Sequence, residues 1–465
     1  MKKFMQDDFL LQTPSAQKLY AAVSDTPIID YHCHLDAKEI YENVKFENLT
    51  EAWLKADHYK WRAMRNMGVN EELITGNASD YDKFVAWATV MPYLAGNPLY
   101  HFSHLELKKY LGIDEALSPE TAEKIWNMAK NVLSDTGARQ IMEKANVEAV
   151  ITTNDPTETL EYHVKLKKEN FRIKVLPAFR PDKALNIEKP GFNAYVKALA
   201  ASAGTEITDL DSLKYALKTR LDYFVSLGAV ASDHGLDYVP AYSSEALSAE
   251  TVFGCVLSGK PVTKADTDNF KFEMLRFLGT EYYKRGMVME IHFGCVRNPN
   301  SVTFAQIGAD SGFDCIRRDT DADNLFALLD ALRSANALPK TLLFSLNPAD
   351  NDFLVSLSGA FNDDADGIKG KVQQGSAWWF NDHFDGMNKQ ISTYAAGMPI
   401  DSFIGMLTDS RSLLSYARHD YFRRILANYL GNLVESGMYP ENCFGYLEKI
   451  ARDVAYENVK AYFNL

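Results

Sequence analysis

The sequence predicts a distorted (β/α)8 barrel, on three observations. Eight short apolar runs, most of them rich in β-branched residues, recur along the chain. Each ends in polar or chemically capable residues, and helical patterns such as PTETLEYHVKLKKEN and ADNLFALLDALRSANA separate them. Near-continuous apolar strands alternating with helices read as a parallel sheet buried on both faces. Eight such units are the number that closes a barrel of this class.

The runs are justified in order. TPIIDYHCH (26–34) ends in His32 and His34, and VEAVITTND (147–155) in Asn154 and Asp155. IKVLPAFR (173–180) ends in Arg180, LGAVASDHG (227–235) in Asp233 and His234, and MVMEIHFG (287–294) in His292. TLLFSLN (341–347) leads to Asn347, QGSAWWF (374–380) to Trp378 and Trp379, and FIGMLTDSR (403–411) to Asp409 and Arg411. In such barrels the active site lies at the C-terminal ends of the strands, so these residues form a predicted functional ring. About 110 residues separate the first run from the second, more than one crossover helix needs. Residues 35–146 are mostly helical in pattern and are predicted to be an insertion after strand 1 that stands over the barrel mouth as a cap. Residues 1–34 and 147–465 then make the catalytic barrel, with the helices of 412–465 closing its outer layer.

The 465 residues are 46% hydrophobic, enough for a large core, and carry a net charge of −13. That charge argues against nucleic acid or an anionic membrane as partner, while a few arginines in a pocket can still hold an acidic small molecule. The cysteines are Cys33, Cys255, Cys295, Cys315 and Cys443. Their number is odd and none forms a CxxC pair, which fits reduced thiols. The N-terminal MKKFMQDDFLLQ has no apolar run long enough for a signal peptide, and no stretch of 18 apolar residues occurs. A cytoplasmic protein, a homo-oligomer acting on a small molecule, is expected.

His32 and His34 are two apart, so on a strand both point to one face and Cys33 to the other. Two imidazoles converging inside a barrel suit Zn²⁺ or a similar divalent metal. The alternative is a pair of hydrogen-bonded interior histidines. Asp409 ends the last run and faces the first strand across the seam, where it can bind the metal or handle a proton. It could instead cap the following helix. Arg180 and Arg411 offer planar forks that match a carboxylate, unless one of them pairs with Asp182 or Asp409. Trp378 and Trp379 could be a platform for a ring or core packing.

HxH on the first strand with Asp on the eighth resembles the amidohydrolase superfamily. More narrowly, DYHCHLD, LKADHYKWRAMR, TTNDP, FRPDK, GADSGFD and LTDSRS are similar to the uronate isomerase family, over nearly the whole chain from about residue 25. The resemblance implies an aldose–ketose isomerase that interconverts D-glucuronate with D-fructuronate and D-galacturonate with D-tagaturonate. It implies that His58 and Tyr59 reach the substrate and that the tyrosine moves the proton. Strand four ends ASDHG, without the lysine that helps many of the superfamily's hydrolases hold two metals, so one divalent ion, Zn²⁺ above others, is expected on His32, His34 and Asp409. Arg180, Arg411, His58, His292 and Trp379 are the expected substrate contacts, with His292 open between ligand and hydrogen-bonding roles. Tyr59, Asp409, His58 and Arg411 are the expected catalytic group. The rival readings are a metal-dependent hydrolase of an amide, lactone or ester on the same barrel, and a non-catalytic sugar-acid binding protein.

Overall fold

The computed structural model describes residues 3–319, 322–363 and 366–465. Seven of the predicted runs supply strands: β1 (Ile28–Cys33), β2 (Val147–Asn154), β3 (Lys174–Phe179), β4 (Ala231–Gly235), β5 (Val288–Phe293), β6 (Lys340–Ser345) and β7 (Val372–Gln374). They pair in sequence order into one curled parallel sheet. Between β1 and β2 the register shifts between Asp30 and Cys33. A separate antiparallel ribbon pairs Cys295–Val296 with Cys315–Ile316.

The eighth run departs from a regular strand. Residues 403–411 lie along β1 through two backbone bonds, Asp409 N to His32 O (3.1 Å) and His34 N to Ser410 O (3.0 Å). The Asp30 carboxylate takes the Thr408 N–H at 2.8 Å. Toward β7 a side chain replaces the ladder, with Ile404 N donating to Gln373 Oε1 at 2.9 Å. Left-handed backbone at Gly405 (φ 82°) and Asp409 (φ 46°) prevents a continuous pleat. The seventh run is also displaced: its strand ends at Gln374, and Trp378 and Trp379 lie beyond it at a 3₁₀ turn, Trp379–Asn381. Gly375 is required here, because a Cβ would stand 2.0 Å from the Phe344 ring.

Alternation sorts the strands into two faces. Ala231, Val288, Leu342 and Phe344 share an interior cluster with Ile29, Ala149 and Ile151. Met289, Ile291 and Leu343 pack outward with Phe224, Phe270 and Leu278 of the covering helices. Cys33 is fully buried in a third cluster that also takes in the helical segment after β1.

That segment holds seven α-helices: Ala37–Glu42, Leu49–Trp53, His58–Asn66, Asp80–Val90, Pro98–Leu111, Ala122–Asp135 and Ala138–Lys144. One break in it matters for the site. The Asp57 side chain accepts from Tyr59 N (3.0 Å) and Lys60 N (3.1 Å), capping a new helix whose first residues are His58 and Tyr59. Among the described residues no helix is long and apolar enough to cross a membrane. All five cysteines are free thiols.

Gly405→Ala tests the irregular seam. An added Cβ would lie 2.1 Å from the Val454 carbonyl oxygen, at a φ that disfavours side chains. The expected cost is about 3 kcal/mol, read as a lower thermal midpoint. Gly437→Ala, left-handed but with open space around it, should cost only about 1 kcal/mol.

Candidate active site

A cavity of about 260 Å³ opens at the C-terminal end of the sheet, and a second lobe of about 200 Å³ adjoins it. The two lobes share His34, His58, Asp409 and Arg411. At the cavity floor Asp409 Oδ1 lies 3.3 Å from His32 Nε2 and 3.1 Å from His34 Nε2. Trp378 Nε1 donates to the other oxygen at 2.6 Å. On its far side His32 Nδ1 lies 2.9 Å from Glu290 Oε2. Deeper still, His292 Nδ1 stands 2.9 Å from Asp233 Oδ1, and its ring lies flat on Phe344 at 4.2 Å.

The backbone that carries these groups is strained. Asp409 and Trp379 both have left-handed φ, 46° and 51°. Aspartate tolerates that region, whereas a bulky tryptophan there is an outlier that surrounding structure must enforce.

Electrostatics follow from burial of many charges in one place. Burial disfavours the His32 cation, but Asp233, Asp409 and Glu290 outweigh it and raise the imidazole well above its usual value. Burial would raise Asp409, yet the bonds with His32 and His34 hold it well below the carboxylate range. Glu290, fully buried, is pushed up to about 7 by desolvation despite His32 beside it. Burial, with the His32 charge, lowers His292 to about 4. His34 and His58 are lowered by burial. Burial, then Asp409, raises the Tyr59 phenol well above 10.

Among the described residues two overlapping donor sets could hold a cation: His32, His34 and Asp409, and His32, Asp233, Glu290 and His292, each with ligand atoms within 4.8 Å of one another. The first fits a metal best. A tetrahedral ion with bonds of ~2.1 Å has ligand–ligand edges of ~3.4 Å, close to the 3.1 and 3.3 Å found around Asp409 Oδ1. Glu290 then holds His32 Nδ1–H and turns Nε2 inward, the usual arrangement behind a metal-bound imidazole. The charge balance agrees, since a divalent ion would replace the proton that the three carboxylates otherwise draw onto His32.

Other predicted residues line the same space. Arg180 is committed to carboxylates, with Nε 2.7 Å from Asp182 and Nη1 3.0 Å from Asp233. Arg411 is exposed on the wall of both lobes, with no ion pair among the described residues. His58 stands edge-on to Trp379 with ring centroids 5.4 Å apart, and Tyr59 lies 6.2 Å from that indole.

The predicted ring of strand ends is only partly drawn together. Asn154 and Asp155 bind their own loop, at Glu158 and Thr157. Asn347 accepts from Ala349 N at 3.1 Å. Short polar side chains just after a strand commonly cap their own turn. His234 alternates away from Asp233 and packs 5.7 Å from Tyr282 in the outer layer. Sequence reasoning missed Glu290, two residues before His292, although the same alternation that joins His32 to His34 puts both on the inner face. It also missed Arg297 of the cavity wall and the buried pair Arg418–Asp382 (3.1 Å). Arg418 lies 5.9 Å from the centre of the Tyr59 ring.

A sequence model of the family described as glucuronate isomerase matches residues 1–463. A uronate isomerase of Caldanaerobacter subterraneus subsp. tengcongensis is 48% identical, covering 100% of both chains. One from Bacillus licheniformis is 47% identical over 100% of this chain and 98% of its own. The crystal structure of a uronate isomerase from Thermotoga maritima superposes with a TM-score of 0.94 at 34% identity, over 99% of this chain and 100% of that one.

The donor geometry sets an order of effects on metal content, measured after equilibrium dialysis. His32→Asn should abolish binding of one divalent ion. Glu290→Gln, which touches only the far side of His32, should weaken it about 10- to 100-fold. Full metal retention by His32→Asn would remove this assignment.

Proposed function

This chain belongs to the glucuronate isomerase family, and from that premise we propose that it interconverts D-glucuronate with D-fructuronate and D-galacturonate with D-tagaturonate. The observation that carries the reading is one cavity that joins the His32–His34–Asp409 cluster, the Arg411 guanidinium and the His58–Tyr59 pair. A hydrolase on the same fold is not favoured, because relatives at 47–48% identity over the full chain are uronate isomerases.

The fold belongs to the same proposal. Residues 403–411 serve as the eighth strand of a distorted (β/α)8 barrel of the amidohydrolase type, supported by their two backbone bonds to β1. Residues 35–146 are a helical cap inserted after strand 1 into a barrel formed by 1–34 and 147–465. The seven helices between β1 and β2 support this.

One divalent ion, Zn²⁺ by its two-nitrogen, one-carboxylate donors, is held by His32, His34 and Asp409. When bound it supplies Lewis-acid polarisation of a substrate oxygen. The isomerisation removes the proton from C2 and protonates the C1 oxygen, giving an enediol. Loss of the O2 proton and protonation of C1 then complete the ketose. Arg411, without an ion pair among the described residues, takes the substrate carboxylate, while Arg180, held by Asp182 and Asp233, lines the same space. Tyr59, held as a neutral phenol, enters as an acid and hands its proton to the developing enediolate. It must therefore be matched by a base, and His58, kept neutral by burial, is the neighbouring group able to accept the C2 proton. Asp409, strongly ionised, serves hydroxyl proton transfer during ring opening. Trp379 and His292 border the sugar.

Ketose formation from both uronates should be detected, and should fall after chelation and return with added divalent metal. Tyr59→Phe should lower kcat about 10²- to 10⁴-fold with little change in KM, whereas Arg411→Met should raise KM on the order of tenfold or more. Because His58 titrates below 6.5, its neutral form persists as pH falls through that value. The acid limb of kcat/KM should therefore lie below pH 6.5, and a limb well above it would exclude His58 as the base.

A further inference from the structure

We propose that the loop 308–314 is a positioning element, clamped by Arg62 and Arg65 onto the helix His58–Asn66, and that its seating sets where His58 and Tyr59 stand over the cavity. The proposal rests on the reading that those two side chains act on the substrate.

Helical spacing makes the arrangement. Arg62 and Arg65 follow His58 by four and seven residues, so all three lie on one face of the helix. That face meets the loop. Arg62 Nη1 donates to Asp314 O at 2.7 Å and Gly312 O at 3.5 Å. Arg65 Nη1 donates to Ser311 O, and its guanidinium covers the Phe313 ring at 4.8 Å. Glu71 grips the rest of Arg65 through two bonds of 2.7 Å. Two fixed guanidinium groups thus hold three loop carbonyls.

The contact reaches the first residue of the helix. Gly312 has φ 93°, and a Cβ there would stand 2.6 Å from the backbone oxygen of His58. A side chain at this position would push the loop or the helix start away.

A second path returns to the same histidine. Buried Asp314 accepts Asn298 N at 2.8 Å and pairs with Arg297 Nη1 at 2.7 Å. Arg297 lies 5.3 Å from the Trp379 ring centre, and Trp379 stands edge-on to His58. Arg62 meanwhile lies over Phe380, which stacks on Trp379. The contacts close a circuit from His58 through Trp379, Arg297 and Asp314 to Arg62 and back along one helical turn. A circuit of this kind resists displacement of any member. A misplacement of about 1 Å can cost on the order of 10²-fold in rate.

The test uses the metal-loaded enzyme and the variants Gly312→Ala, Arg65→Met and Arg65→Lys, each also in a His58→Asn/Tyr59→Phe background. Gly312→Ala and Arg65→Met should lower kcat about 10- to 100-fold, with KM changed less than about threefold and metal content unchanged. Arg65→Lys, which keeps one donor to the loop, should recover part of that loss. In the His58→Asn/Tyr59→Phe background the same substitutions should cost less than about twofold more, because both groups they position are already gone. Unchanged kcat in folded, metal-loaded Arg65→Met overturns the proposal, as does an equal fold-loss in both backgrounds. Should Gly312→Ala fail to fold, the two Arg65 variants decide alone. Full turnover by His58→Asn/Tyr59→Phe would defeat the proton-transfer reading and the positioning role together. Lost turnover in Tyr59→Phe with intact clamp variants would defeat the positioning role only.

Discussion

The site depends on one half-buried carboxylate. Asp409 receives His32 and His34 from β1 on one oxygen and Trp378, beyond β7, on the other. It thereby ties the first strand to the far end of the sheet, where the backbone ladder is incomplete. Its left-handed φ is tolerable because these three partners outweigh the local strain. Around it Glu290 and Asp233 add negative charge in a region nearly closed to water, so the cluster is balanced only by protonated imidazole or by a cation. A bound divalent cation would satisfy both charge and geometry.

Above this floor the chemistry is shared between two parts of the chain. The strands and the segments just beyond them carry His32, His34, Asp409 and the arginines, while the helix after Asp57 carries His58 and Tyr59. The cap residue Asp57 starts the helix at the right place, and the buried Arg418–Asp382 pair lies beneath the tyrosine. At the mouth Arg180 and Arg297 are paired with carboxylates, and Arg411 has no ion pair among the described residues.

Much of this was legible in the order of residues. Period-two alternation was enough to pair His32 with His34 and to turn Cys33 outward into the helical layer. The same rule, applied to Glu290 and His292, would have added the carboxylate behind His32. It was obscured because Glu290 sits inside an apolar run and reads as an interruption of it. The strand-end rule overreached at Asn154, Asp155 and Asn347, whose short side chains satisfy their own turns. It also overreached at His234, whose parity puts it on the outer face.

Spacing and composition along the chain were therefore sufficient for the parallel αβ architecture, the HxH pair and its distant aspartate, and the helical segment after the first strand. They could not say that the last run would lie beside β1 without forming a regular strand, that Arg180 would be consumed by Asp182 and Asp233 while Arg411 stayed open, or that loop 308–314 would rest on the helix of His58. Those outcomes depend on contacts between residues up to hundreds of positions apart. Alternation and helical period describe only which way a side chain leaves its own backbone; what it meets there is set by packing.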